Sequence, residues 1–201
     1  MNKIITIGRE FGSGGRELGR RLAEALGFEY YDKEIITAIA EHTSLSEEYV
    51  KEIVERKPHQ LYPITIGQSI SYFDTYAFTQ MQSVYQAQDK ILRELAEKSN
   101  CVIVGRCADD ILKDFKPFRI FVYADMQSRI NRCLKRSPKG EDLSEKQLLK
   151  SIKRIDKDRA KYYKFYTGQV WGYRSNYDLC INTTDTDIPE AVAAVAKMLG
   201  D

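Results

Sequence analysis

Long apolar runs are missing from this chain. Nowhere does it hold the ~18 consecutive apolar residues that span a bilayer, and no basic segment followed by an apolar stretch opens it. These absences predict a protein without a membrane association, and we expect a cytoplasmic one. An excess of charge of either sign is missing too. Lys and Arg number 31 against 29 Asp and Glu, so the net charge of +2 gives no global attraction to nucleic acid, and any anion must be drawn by local clustering. Cysteine and histidine are sparse and scattered. Cys101, Cys107, Cys133 and Cys180 form no C-x-x-C pair, and only His42 and His59 accompany them, which argues against structural zinc and for reduced thiols. Internal repeats and low-complexity linkers are absent. What remains, 201 residues with 43% hydrophobic and 30% charged, suits a single domain over 1–201.

The most informative segment runs from Ile4 to Leu18. A short apolar strand leads into Gly12-Ser13-Gly14-Gly15 and then into a helix. Glycines let the backbone turn tightly and aim several amide N–H groups at an anion, and the helix N-terminus adds partial positive charge. The usual phosphate-binding pattern is G-x-x-x-x-G-K-[ST], whose lysine reaches the terminal phosphates and whose hydroxyl binds Mg²⁺. Laid on that pattern, this chain has Gly15 at the lysine and Arg16 at the hydroxyl. A plain structural turn is the alternative reading. A dinucleotide-binding G-x-G-x-x-G is disfavoured, because the last glycine is absent from Gly12 to Glu17.

Periodicity along the chain predicts an α/β protein. We expect strands over 3–8, 28–32, 101–105, 118–124 and 177–182, with helices over 15–26, 33–42, 80–99, 125–136, 144–166 and 188–199. Gly27 reads as a helix C-cap. Lys57 to Pro63, with its two prolines, reads as a loop inside a mostly helical stretch, and 64–78 gives no clear pattern. Cys101 to Gly105 is a continuous apolar run of the kind buried on both faces of a parallel sheet.

The run Gly12 to Leu26, the segment Gly27-Phe28-Glu29-Tyr30-Tyr31-Asp32 and the triplet Val104-Gly105-Arg106 together resemble cytidylate kinase and its relatives among the P-loop nucleoside monophosphate kinases. The resemblance is nearest to a cytidylate-kinase-like group with a G-S-G-G loop. It implies a three-layer P-loop NTPase-like fold, a roughly five-stranded parallel sheet flanked by helices, with a small helical lid near 137–170. It also implies ATP and Mg²⁺ as cofactors, and a nucleotide or another phosphorylated small molecule as partner.

Residue by residue, the resemblance implies that Gly12, Ser13, Gly14, Gly15, Arg16 and Glu17 bind the donor. Asp32, Arg106 and Asp109 would meet the acceptor, and Arg16, Arg154 and Arg159 would carry positive charge to the transferred group. Arg16, one position past the missing lysine, is the expected replacement charge. No metal ligand is assigned; Ser13, water or Asp32 are the options for Mg²⁺. Each assignment has a plainer reading. Asp32 suits a helix N-cap. Arg106 suits a surface ion pair with Asp109 or Asp110. The alternating charges from Arg154 to Lys161 suit a solvated helix face. The aromatic segment Tyr162 to Tyr173 fits packing or a dimer contact first, base stacking second and RNA binding third. Two functions from different classes follow: a phosphotransferase moving phosphate from ATP to a phosphate-bearing acceptor, or a non-catalytic nucleotide sensor that has lost the lysine and hydroxyl.

Overall fold

A computed structural model describes residues 2–55, 72–136 and 144–200. Its centre is a sheet of five strands: β1 (Ile4–Arg9), β2 (Glu29–Tyr31), β3 (Cys101–Val104), β4 (Phe118–Tyr123) and β5 (Leu179–Asn182). The spatial order is β2-β3-β1-β4-β5, and every neighbouring pair is parallel. Parallel strands need crossover segments, and here these are helices on both faces.

The strands read as unbroken apolar runs because both faces are covered. Ile4, Cys101 and Ile103 face one core, beneath α2 (Glu34–Thr43), α3 (Glu47–Glu55) and α4 (Tyr72–Lys98). Ile5, Ile7, Val102 and Val104 alternate into the other, beneath α1 (Gly15–Leu26) and α8 (Ile188–Leu199). Leu18 and Leu22 of α1 are fully buried, one helical turn apart. Burying one such side chain is worth about 2 kcal/mol. Gly27 ends α1 at φ 67°, the left-handed conformation expected of it.

Three further helices complete the fold: α5 (Ala108–Ile111), α6 (Met126–Arg136) and α7 (Glu145–Thr167). Ser144 caps α7 by accepting from the Gln147 amide, and Gln147 reciprocates at the Ser144 amide. The expected helix boundaries hold within a residue or two, except that α4 begins at Tyr72 rather than near Gln80, and α5 was not anticipated. The proline-marked loop at Lys57 to Pro63 lies outside the described residues. So does the first part of the expected lid, 137–143. Its remainder is α7 and the turn after it; the second half of α7 is sunk into the core through Tyr162 and Tyr163.

Candidate phosphate-transfer site

The carboxyl ends of β1 and β3 open onto two adjoining cavities. The first lies over the glycine loop. After β1 the chain turns through Gly12 and Gly14, whose φ angles of 79° and 83° belong to the left-handed region, and Gly14 is the N-cap of α1. A Cβ on Gly12 would stand 3.0 Å from the Arg129 carbonyl oxygen, and one on Gly14 would stand 2.5 Å from Ile188 Cδ1. Glycine is therefore required at both, for conformation and for space. The loop borders a cavity of about 350 Å³ lined by Gly12, Gly14, Gly15, Arg16, Arg132 and Arg136, with Arg9 and Arg159 at its inner edge. An anionic chain fits this lining: backbone amides at a helix N-terminus and arginines around them.

Three groups, two of them buried, hold the loop in place. Asp156 of α7 accepts the Phe11 amide at 2.8 Å. Arg129 of α6 donates to the Phe11 carbonyl at 2.7 Å and pairs with Glu10 and Asp156. Thr183, after β5, donates to the Ser13 carbonyl at 2.7 Å. Burial pushes the Glu10 carboxyl above its usual range. Ser13 is fully buried and donates its hydroxyl to the Glu10 carbonyl at 2.9 Å, inside the loop's own backbone. Glu17 accepts from Arg21 and Arg136.

These details bear on a metal. Ser13 points into the loop, Arg16 stands at the usual hydroxyl position, and Asp32 and Glu10 are each bound by arginine. Among the described residues no cluster of three or more His, Cys, Asp or Glu could hold an ion. The donors among the described residues do not fit a resident Mg²⁺.

The second cavity, about 50 Å³ in the narrow space next to the first, is lined by Arg9, Arg106, Asp109, Arg159, Tyr162 and Tyr163, with Trp171 and Tyr177 behind. It is built on an unusual turn. Gly105, Arg106 and Cys107 follow β3 with φ of 76°, 62° and 51°, all left-handed. Two of these carry side chains, a conformation that costs roughly 1–2 kcal/mol per residue and clusters at functional sites. Gln88 of α4, fully buried, donates to the Arg106 carbonyl at 2.9 Å and steadies the turn. Arg106 is buried (7% exposed), not on the surface. Asp109 accepts from the Tyr163 hydroxyl at 2.6 Å, and burial raises its pKa. Burial also pushes up the Cys107 thiol and the Tyr162 hydroxyl.

Asp32 pairs with arginines that line the cavities. It directly follows β2, is 4% exposed, and meets Arg16 Nε at 2.7 Å and Arg9 Nη2 at 3.7 Å. It does not cap the next helix: the N-cap of α2 is Lys33, without a side-chain cap bond. Arg16 thus turns its fork toward Asp32 at the rim of the loop. Arg159 points inward, donating to the Arg9 carbonyl at 3.3 Å and standing 5.6 Å from the Phe11 ring centre. Arg154 does not join it. Five residues earlier on α7 it lies about 140° around the helix and is exposed. The plainer reading of this charged stretch therefore describes Arg154, while Asp156 and Arg159 face the site.

Arg9 is the site residue that the sequence reading missed. An arginine closing an apolar strand looks like the start of a polar loop, yet its side chain is buried between the cavities. The available signal was Gly105 and Gly15, the two glycines against which it lies. The aromatic segment packs as the first reading held. Tyr166 stacks on Tyr85 at 4.0 Å, and Phe121 meets Trp171 and Tyr177.

A five-stranded parallel sheet with a glycine-rich loop after its first strand, and arginines over the strand ends, is the P-loop kinase architecture. The sequence model of the cytidylate kinase-like family matches residues 4–185, and the chain belongs to that family. It is 26% identical over 187 residues to cytidylate kinase 2 of Borrelia garinii subsp. bavariensis, covering 92% of this chain and 90% of that one. It is 27% identical over 134 residues to a cytidylate kinase of Archaeoglobus fulgidus, 65% of this chain and 70% of the other. Among solved structures, an uncharacterized protein from Eubacterium ventriosum superposes with a TM-score of 0.71 at 29% identity, covering 100% of this chain and 99% of its own. Shikimate kinase from Bacteroides thetaiotaomicron superposes at 0.57 and 16% identity, with 99% of both chains covered, a likeness of fold. Family and fold together support a phosphotransferase.

Proposed function

We propose that the protein transfers the terminal phosphoryl group of ATP to a phosphate-bearing small molecule, in the manner of a nucleoside monophosphate kinase. The observation that carries this reading is the placement of arginines around both cavities, Arg16 on the loop cavity, Arg106 on the narrow one and Arg9 and Arg159 on both, with Asp32 paired to Arg9 and Arg16. Burial, with Arg159 beside it, pushes the Arg9 pKa well below its usual value. Positive side chains on both cavities suit anionic groups in each.

In this reading the amides of Gly12 to Arg16 hold the donor phosphates, with Glu17 orienting Arg136 and Arg21 behind them. Arg106 and Asp109 meet the acceptor, and Asp32 sets the direction of Arg16. The acceptor's phosphate oxygen attacks the terminal phosphorus as the bond to the bridging oxygen breaks, and ADP leaves with that electron pair. A phosphate monoester is already ionised near pH 7, with a second pKa of about 6, so no side chain need remove a proton. Positioning and cationic stabilisation then do the catalysis, and one arginine at the transferred group can be worth about 10³-fold or more. Arg159 is placed for that role. Arg154 would reach it only by a movement of α7, the helix from which a lid over the donor would be drawn.

The test is ADP release from ATP by the purified protein with Mg²⁺ and a panel of nucleoside monophosphates and smaller phosphate esters. We expect release that saturates with at least one acceptor. Release no greater than a blank, together with a melting temperature raised by ATP, would instead establish the nucleotide-sensing reading that Gly15 and Arg16 favour.

A further inference from the structure

Arg9 stands at the first glycine of the pattern G-x-x-x-x-G-K-[ST], and Gly15 stands at its lysine. Three-dimensional placement ties these two departures together. A Cβ on Gly15 would lie 2.6 Å from Cβ and 3.1 Å from Cγ of Arg9, so the stem of Arg9 fills the space into which a residue-15 side chain would grow. Farther along, the Arg9 guanidinium lies against Gly105, where a Cβ would overlap Nη1. Arg9 therefore crosses from the glycine loop to the end of β3, bordering both cavities. Its buried Nε has no hydrogen-bond partner among the described residues, and its contact with Asp32 is a long 3.7 Å.

We propose that Arg9 supplies, from the end of β1, the cation at the transferred phosphoryl group that the standard loop supplies by lysine at position 15, and that Gly15 and Gly105 are glycine so that it can lie there. The inference rests on the phosphotransfer reading for the word transferred, but its binding half is independent of turnover. Arg9 donates hydrogen bonds to non-bridging phosphate oxygens while the P–O bond to the leaving ADP breaks and that to the acceptor oxygen forms; it exchanges no proton. Arg16, held by Asp32 at the rim, then orients rather than replaces the lysine.

The experiment measures inorganic tripolyphosphate and ATP affinity by calorimetry for wild type, Arg9→Gln, Gly15→Lys and the double variant Arg9→Gly/Gly15→Lys, which restores the first glycine and the lysine of the standard pattern. Arg9→Gln should weaken tripolyphosphate about 10- to 100-fold, the usual range for lost charge-assisted hydrogen bonds, without lowering the ligand-free melting temperature. Gly15→Lys alone should also bind weakly, and the double variant should recover to within about 5-fold of wild type, a loss below 1.4 kcal/mol. Wild-type affinity in Arg9→Gln, or a double variant no better than Gly15→Lys, overturns the proposal. Should Arg9→Gln fail to fold, the comparison of Gly15→Lys with the double variant decides alone. Intact tripolyphosphate binding by wild type with no ADP from any acceptor would sink the phosphotransfer reading and leave the Arg9 comparison readable.

Discussion

The Asp156 carboxylate accepts the amide N–H of Phe11 at 2.8 Å across a sequence separation of 145 residues. Its other oxygen pairs with Arg129, which is itself buried and reaches back to the Phe11 carbonyl. One acid on α7 thereby fixes both the backbone of the glycine loop and the arginine beneath it. Asp156→Asn keeps the shape and removes the charge. We expect it to lower unfolding free energy by about 3 kcal/mol, because Arg129 stays buried with only Glu10 to balance it. Urea denaturation reads the loss, and Lys157→Ala on the exposed face should stay within about 0.5 kcal/mol of wild type.

Gly14→Ala tests the cradle. The substitution imposes a side chain at φ 83° and places its Cβ 2.5 Å from Ile188 Cδ1. The conformation alone costs roughly 1–2 kcal/mol. Thermal unfolding should show at least that loss, and ATP should no longer raise the melting temperature. Retained stabilisation by ATP would mean that the nucleotide sits elsewhere.

Arg106 lines the narrow cavity and not the loop cavity. Arg106→Ala should therefore raise the acceptor KM about 10- to 100-fold, as expected for lost hydrogen bonds from a charged group, with the ATP KM within about 2-fold. Equal effects on both substrates would remove the division into a donor side and an acceptor side.

Asp109 gives a pH dependence of definite sign. Its carboxyl is raised by burial above the unfolded value, so the folded state holds this proton more tightly than the unfolded one. Stability from this residue is present at low pH and falls as pH climbs from the ordinary carboxylate range, about 4, to the raised folded value. Asp109→Asn keeps an acceptor for the Tyr163 hydroxyl and removes the titration. Its melting temperature should exceed wild type at pH 7, with the gap closing below about pH 4. A gap that does not depend on pH would refute this account.

The ring pair Tyr85–Tyr166, at 4.0 Å and 5° between planes, joins α4 to α7. A double-mutant cycle to leucine should give a coupling of about 1 kcal/mol in stability, with tripolyphosphate affinity unchanged. A fall in nucleotide affinity would restore base stacking to this segment.

Much of the frame was readable from local pattern. The apolar run at Cys101 to Val104 announced a strand covered on both faces, and the glycines after β1 announced the loop, because each signal lies within a few adjacent residues. Asp32 and Arg106 were found for the same reason: each closes a recognisable strand. Arg9 depends on contacts far along the chain, and no local periodicity encodes it. The choice between Arg154 and Arg159 was legible in principle. Ile152, Asp156, Arg159 and Tyr163 repeat at helical spacing and form the inward face, while Arg154 falls between them.

That inward face has one more consequence. Asp156 touches the glycine loop and Tyr163 holds Asp109 at the narrow cavity, with Arg159 between them. These residues span about 10 Å of a single rigid rod. A displacement of α7 is therefore felt in both cavities at once. If a donor shifts the helix, it changes acceptor affinity by the same factor with which the acceptor changes the donor's, so the two substrates are thermodynamically linked before any bond between them is made.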